Sequence, residues 1–296
     1  MIVFRSVRVD HSLGERVDPF PSRFIRFNSN VLVVGASGSG KSFLGRSFSL
    51  MRSPKFVFTY KEDPLFKGSK VLDFLPSPFR SPFDFLSSFE VSFNGSYGFM
   101  LSDVLSLLSN SMVAVGSFDD LIIHLETEKS SVERFRRPVY SFLLARLRAL
   151  YSGCISGGES LTRLNFGGMS DMQMIFFSDY YLRLVYNSVL DEGVLIDELH
   201  RLAPLRDGVL GRIVREIRSR GYVVGISQSL SDLGDLITNF GSIFVGNTLS
   251  GKDLALLGSF DSRLPALVVR LRPYEFLEVR SWLDDSSVSP VSAVVE

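Results

Sequence analysis

Apolar runs and polar breaks divide this chain into short strands alternating with longer helices. Val31-Leu32-Val33-Val34 is unbroken apolar sequence, the pattern of a strand buried on both faces, and predicts a strand from Val31 to Gly35. A Gly/Ser loop follows, then a helix-compatible stretch to about Met51. Lys55–Tyr60 reads as a second strand, and Leu65 to about Ser88, rich in Pro, Ser and Phe, reads as irregular. Residues 99–150 are apolar at helical spacing, with a basic amphipathic pattern over Val132–Leu150. Thr162–Phe166 predicts a strand and Gln173–Leu190 the helix returning from it. Gly193–Asp197 predicts a buried parallel strand, followed by a helix to about Arg220 and strands at Tyr222–Ser227, Ser242–Gly246 and Phe276–Val279.

This alternation predicts an α/β fold with a doubly wound, mostly parallel central sheet flanked by helices. Residues 1–30 read as a short basic lead-in in which Pro19-Phe20-Pro21 breaks regular structure. Residues 31–280 form the main domain, with a mainly helical insertion at about 65–160. Residues 281–296 read as a loosely held tail.

The sharpest chemistry follows the first core strand. Gly35-Ala36-Ser37-Gly38-Ser39-Gly40-Lys41-Ser42 has the form G-x-x-x-x-G-K-S, a phosphate-cradling loop between a strand and a helix N-terminus. Its glycines let backbone N–H groups approach a polyphosphate. Lys41 is placed for the β- and γ-phosphates, and the Ser42 hydroxyl for Mg²⁺. The expected ligand is ATP with Mg²⁺.

A second pattern narrows the chemistry. Val194-Leu195-Ile196 ends in Asp197-Glu198. Asp197 would hold the Mg²⁺ shell, and Glu198 would orient and deprotonate a water. Adjacent acids favour hydrolysis over transfer to a small acceptor. Third, a basic stretch, Arg215 to Arg220, runs into an apolar strand ending at Ser227-Gln228. The Gln228 amide is placed to sense a γ-phosphate, and Arg218 is the first choice among the arginines to act on a neighbouring subunit's nucleotide.

Composition adds bounds. The 296 residues are 45% hydrophobic and include 26 Phe, ample for a large core. Lys+Arg and Asp+Glu are both 32, so global charge points to no polyanionic partner. Cys154 is the only cysteine, which excludes an intrachain disulfide and fits a reducing compartment. His11, His124 and His200 are too few and too scattered for a zinc site, and His200 is expected to pack or hydrogen-bond. No apolar run approaches the ~18 residues of a membrane span, and Met1–Asp10 lacks an apolar signal core. A cytoplasmic location without membrane insertion is expected.

Together, Gly35–Ser42, Ser81-Pro82-Phe83-Asp84, Val194–His200, Arg218–Leu233, Ile237–Ser242 and Leu264-Pro265-Ala266-Leu267 with Glu275-Phe276 resemble the HerA/FtsK superfamily of hexameric DNA-pumping ATPases. The likeness runs in outline over about 30–280, firmest in the phosphate loop and from 190 to 250. It implies a RecA-like P-loop core, nucleotide between subunits of a ring, and channel-lining loops on double-stranded DNA. The loops in question are Ser152–Gly168 with Arg163, and His200–Gly211 with Arg201 and Arg206. Neither the barrel that precedes the core in cellular HerA nor the DNA-reading γ domain of FtsK is expected within these residues. The acidic turn after the second strand is replaced by Thr59-Tyr60-Lys61-Glu62-Asp63. Such a minimal core looks like the motors of viruses and mobile plasmids, working in host cytoplasm with a portal, capsid or nuclease as docking partner. An ATP-driven motor for protein assembly or secretion stands beside this reading, and a small-molecule kinase stands further off.

Overall fold

The computed structural model describes residues 2–7, 17–19, 30–52, 56–60, 81–92, 98–151, 163–165, 169–186, 190, 192–217, 220–247, 250–280 and 288–295. The chain forms two compact units. One comprises Met1–Lys70, Thr162–Leu164 and Asn187–Glu296; the other comprises Val71–Leu161 and Asn165–Tyr186.

The first unit is built on a mixed sheet. Its strands are β1 (Ile2–Val7), β2 (Val17–Pro19), β3 (Val31–Val34), β4 (Phe56–Thr59), β5 (Arg163–Asn165), β6 (Val194–Ile196), β7 (Val223–Ser227), β8 (Ser242–Val245), β9 (Glu275–Arg280) and β10 (Val288–Val295). Their order is β2-β1-β10-β9-β8-β3-β7-β6-β4-β5. The pairs β8–β3, β3–β7, β7–β6 and β6–β4 are parallel, and those joining β2, β1, β10, β9 and β8 are antiparallel. The expected parallel α/β core is therefore present, a RecA-like P-loop arrangement in which one strand separates the phosphate-loop strand β3 from β6. β3, β6, β7 and β8 are buried throughout, which explains sequences that are apolar apart from Gly225, Ser227 and Ser242.

Helix α1 (Lys41–Arg52) covers this core. Leu44 and Phe48 pack with Val31, Val33, Leu195, Val224, Ile226, Phe244 and Phe276. Gly45 sets how closely the helix approaches: a Cβ there would lie 2.3 Å from Ile226 Cδ1. Beneath the sheet's amino edge, the fully buried Asn30 ties four segments together. Its Nδ2 donates to the carbonyls of Val214 (2.8 Å) and Asn239 (3.1 Å), and its Oδ1 accepts from Val223 N–H (2.9 Å). Its own carbonyl accepts from Gly241 and Ser242 N–H groups. These bonds fix where β7 and β8 begin relative to β3.

The second unit contains α2 (Pro82–Val91), α3 (Gly98–Ala114), α4 (Phe118–Ser131), α5 (Arg137–Tyr151) and α6 (Asp171–Leu184). Much of the aromatic content collects here. Phe85, Phe89, Phe176, Phe177, Tyr180 and Tyr181 are buried, and Phe85 meets Phe176 edge-on with centroids 5.1 Å apart. Such pairs contribute about 1 kcal/mol beyond the area they bury. Within the same core the fully buried Asp179 accepts from Ser88 Oγ at 2.8 Å and Arg183 Nε at 2.6 Å. Among the described residues, no single helix is long and apolar enough to cross a membrane.

Four readings of the pattern are corrected. Residues 82–88, expected to be irregular, open helix α2; Pro82 occupies its first turn, where a missing N–H costs nothing, and Ser81 Oγ bonds Asp84 at 2.5 Å. The helix expected from the acids to Arg220 is instead a 3-10 segment, Leu199–Leu205, followed by α7 (Val209–Glu216), because Pro204 and Gly208 interrupt the α pattern. The lead-in contains two strands, and Pro19 closes β2 rather than excluding structure. The tail contributes β10, which fills the sheet between β9 and β1 and is paired antiparallel with both. The remainder of the 61–80 stretch lies outside the described residues.

Asn30→Ala should lower stability by about 1–3 kcal/mol, since it strands the buried Val223 N–H. Denaturant midpoints followed by circular dichroism would show the loss, and an unchanged midpoint would refute this role for Asn30.

Candidate active site

Parallel strands deliver their following loops to one edge of the sheet, and the candidate residues of the first unit meet there. Past Val34 the chain turns at Gly35, whose N–H donates to Ser227 O, and Ala36 N–H donates to Asn247 O at 2.7 Å. The loop closes through Ser39 N–H to Ala36 O at 3.1 Å. Gly38 and Gly40 have φ of 82° and 91°, which L side chains rarely adopt. Ser37 and Gly38 are exposed at its crest. Lys41 is nearly fully buried, with Nζ 3.5 Å from Ala36 O, so the ammonium is folded back over the loop. Ser42, in the first turn of α1, is half-buried.

The loop suits a polyphosphate on its own evidence. Ser39 Oγ is buried without a hydrogen-bond partner, a cost that an anion in the loop would relieve. The α1 N-terminus adds N–H groups that the helix's own bonding does not use and a positive dipole end. For Mg²⁺ the donor set is hard oxygen: the Ser42 hydroxyl and the carboxylate of Asp197, fully buried at the end of β6. These residues fit the ion.

Beyond β6 the backbone holds Asp197 through its N–H to Phe58 O at 2.9 Å. It then turns sharply at Glu198, which adopts a left-handed conformation, φ 51° and ψ 43°. For a residue other than glycine this costs on the order of 1 kcal/mol and marks a position held by its surroundings. The turn aims the Glu198 carboxylate sideways. The Gln228 side-chain amide, just past β7, lies 3.1 Å from Glu198 Oε1 and 2.9 Å from Oε2.

His200 completes the cluster. Its Nδ1 accepts the Gln228 backbone N–H at 3.3 Å and lies 3.6 Å from Glu198 Oε2. Burial lowers its pKa below the ordinary histidine value; Glu198 and Asp232 oppose that shift, and Arg201 and Lys41 reinforce it. A neutral ring is what the Gln228 N–H requires, since a protonated Nδ1 accepts nothing.

The other predicted residues lie apart from this cluster or outside view. Arg201 is exposed, with Nη1 3.4 Å from Tyr60 O. Arg206 is exposed, pairs with Asp207 at 3.7 Å and runs beside Gly234. Arg163 lies on β5. Arg218 lies outside the described residues. Two contributors had no sequence signal. Asn247, which receives the Ala36 N–H, follows β8 without any motif. Tyr274 donates its N–H to Ser39 O at 2.8 Å and sets its ring on Gly40; it lies one residue before the Glu275-Phe276 match.

No protein-family model matches the chain, and no curated protein sequence matches it. In structure it is similar to the genome-packaging NTPase B204 of Sulfolobus turreted icosahedral virus 2 in its sulfate complex, with 12% identity and a TM-score of 0.48 over 92% of this chain and 100% of that one. VirB4 of Thermoanaerobacter pseudethanolicus shares 14% identity, with a TM-score of 0.47 over 75% of this chain and 93% of that one. The cytoplasmic domain of the Thermomonospora curvata type VII secretion ATPase EccC shares 14% identity, with a TM-score of 0.40 over 98% of this chain and 28% of that one.

His200 should titrate below the ordinary value of 6.5. An unfolded chain then binds more protons than the folded one just below that pH, so stability falls as pH drops through the folded pKa. Imidazole NMR would show the depressed midpoint, and His200→Gln should flatten the acid limb of the stability profile. A midpoint at or above 6.5 would refute the buried, neutral assignment.

Proposed function

We propose that this chain is a Mg²⁺-dependent ATP hydrolase that works as a ring and moves double-stranded DNA. The observation that carries the hydrolase is the Glu198 carboxylate, turned by a left-handed backbone and held by both of its oxygens on the Gln228 amide. A carboxylate oriented in this way is suited to taking a proton from water, and it belongs to the same sheet edge as the phosphate loop.

In the reaction, the loop N–H groups and Lys41 hold the β- and γ-phosphates. Ser42 and Asp197 would hold Mg²⁺, which when bound would supply charge neutralisation at the phosphate oxygens. Glu198 accepts a proton from a water while the oxygen of that water bonds to the γ-phosphorus. The bond from that phosphorus to the bridging oxygen breaks, and ADP and phosphate leave. Gln228 reports whether a γ-phosphate is present by dividing its amide between that phosphate and Glu198. Hydrolysis thereby changes the tether on the loop after β7, and through His200 the loop after β6. Arg218 is assigned the trans-acting role toward a neighbouring copy's nucleotide, in a homo-oligomer that is most simply a hexamer.

The DNA assignment is supported by the order of motifs shared with HerA/FtsK motors, from Gly35–Ser42 to Glu275-Phe276. With no net charge on the chain, contact with phosphates falls to local groups, for which Arg201, Arg206 and Arg163 are the candidates. A portal, capsid or nuclease would supply the docking site.

Lys41→Ala should abolish ATP binding. Glu198→Gln should bind ATP while turnover falls by about 10²–10⁴-fold; normal turnover would remove Glu198 from this role. Double-stranded DNA should stimulate hydrolysis, its apparent affinity falling with log[salt] by roughly 0.9 per phosphate neutralised. A hexameric preparation that DNA fails to stimulate at any salt would overturn the DNA assignment, and stimulation by a polypeptide in its place would identify an assembly or secretion motor.

A further inference from the structure

We propose that Tyr274 is the platform on which the nucleobase of the bound triphosphate stacks. The inference rests on the reading of Gly35–Ser42 as a triphosphate loop and adds to it the subsite for the base.

The sheet gives the triphosphate a direction. β7 and β6, which carry Gln228 and Glu198, lie on one side of β3; β8 and β9 lie on the other. The γ-phosphate belongs with the acids, so the nucleoside end belongs on the flank of β8 and β9. Tyr274 stands there, immediately before β9. Its ring lies against the phosphate loop: a Cβ built on Gly40 would be 2.4 Å from Tyr274 Cδ1. It also meets the ring of Phe43, in the first turn of α1, edge to face at 6.2 Å and 88°. Phe43 follows Ser42 directly, beyond the residues assigned to the β- and γ-phosphates.

The backbone at Tyr274 is held out of its ordinary range. Its φ is 67°, left-handed, where glycine or asparagine is the usual occupant. The turn is secured by Tyr274 N–H to Ser39 O at 2.8 Å, Glu275 N–H to Arg272 O at 3.0 Å, and Arg272 N–H to Glu275 Oε2 at 2.8 Å. All three bonds use the Tyr274 backbone or its neighbours, so bracing the loop needs no ring at this position. Yet a large aromatic side chain occupies it and stays 44% exposed. An accessible aromatic ring fixed against a phosphate loop is suited to stacking on a planar base. Because every base presents a π-face, the platform accepts nucleoside triphosphates with little discrimination among bases.

Calorimetric binding of ATP and of inorganic tripolyphosphate to the full chain, with Mg²⁺, tests this. Tyr274→Ala should weaken ATP binding roughly tenfold, a typical loss for one stacked base, and leave tripolyphosphate unchanged. Tyr274→Phe should retain ATP affinity, and circular dichroism should show both variants folded. An equal loss of both ligands in Tyr274→Ala would make the ring a loop brace and overturn the platform, as would undiminished ATP affinity. Wild-type protein that binds ATP but not tripolyphosphate refutes any dominant role for the phosphate loop. A wild type that binds neither refutes the triphosphate reading, and the platform falls with it.

Discussion

The register of β7 between β3 and β6 is the constraint on which the rest of the site depends. Val34 pairs with Ser227 and Ile196 with Gly225, all in parallel strands. Counting on from those partners, Glu198 falls level with Ser227, one residue short of Gln228. A glutamate turned toward β7 therefore meets the amide at the tip of that strand. A slip of one residue would point Gln228 to the opposite face of the sheet and leave the carboxylate without it. Asn30 defends this register from the far end of the strands, binding Val223 N–H with its side chain and Gly241 and Ser242 N–H with its carbonyl. The edge that carries the candidate site is thus set partly by an amide at the opposite edge.

Strain is concentrated at the candidate site. Among the described residues only Glu198 and Tyr274 combine a non-glycine side chain with positive φ, and both border the phosphate loop's edge of the sheet. At Glu198 the turn converts an ordinary strand end into a sideways-facing carboxylate, held by Gln228 and flanked by His200. At Tyr274 the turn lays an aromatic ring on Gly40. Burial elsewhere offsets these costs: β3, β6, β7 and β8 are enclosed, and α1 is drawn tightly onto β7 over Gly45.

Much of this was legible in the linear pattern. Strands buried on both faces announce themselves as apolar runs, and the phosphate loop and the Asp197-Glu198 pair lie within single short segments. Local rules failed where long-range pairing decided the structure. β10 needs β9 and β1 beside it, and its sequence Val-Ser-Pro-Val-Ser-Ala-Val-Val lacks the two-residue alternation that would declare a strand alone. Helix α2 hides behind Pro82, which breaks a helix interior but suits a first turn. Leu199–Leu205 is short and interrupted because Pro204 denies it a regular α pattern.

The sequence by itself determined the chemistry on offer: a phosphate loop, two acids at a strand end, an amide at the next strand's tip, and an apolar content large enough to enclose them. Those features are local, since each depends on neighbours within a few residues. Only the tertiary structure decided which of them touch. Gln228 reaches Glu198 across 30 positions of chain, His200 accepts the Gln228 N–H, and Tyr274 arrives at Gly40 from the far end of the fold. Contacts of that kind follow from strand order and register, and these are fixed by the packing of the whole sheet rather than by any one segment.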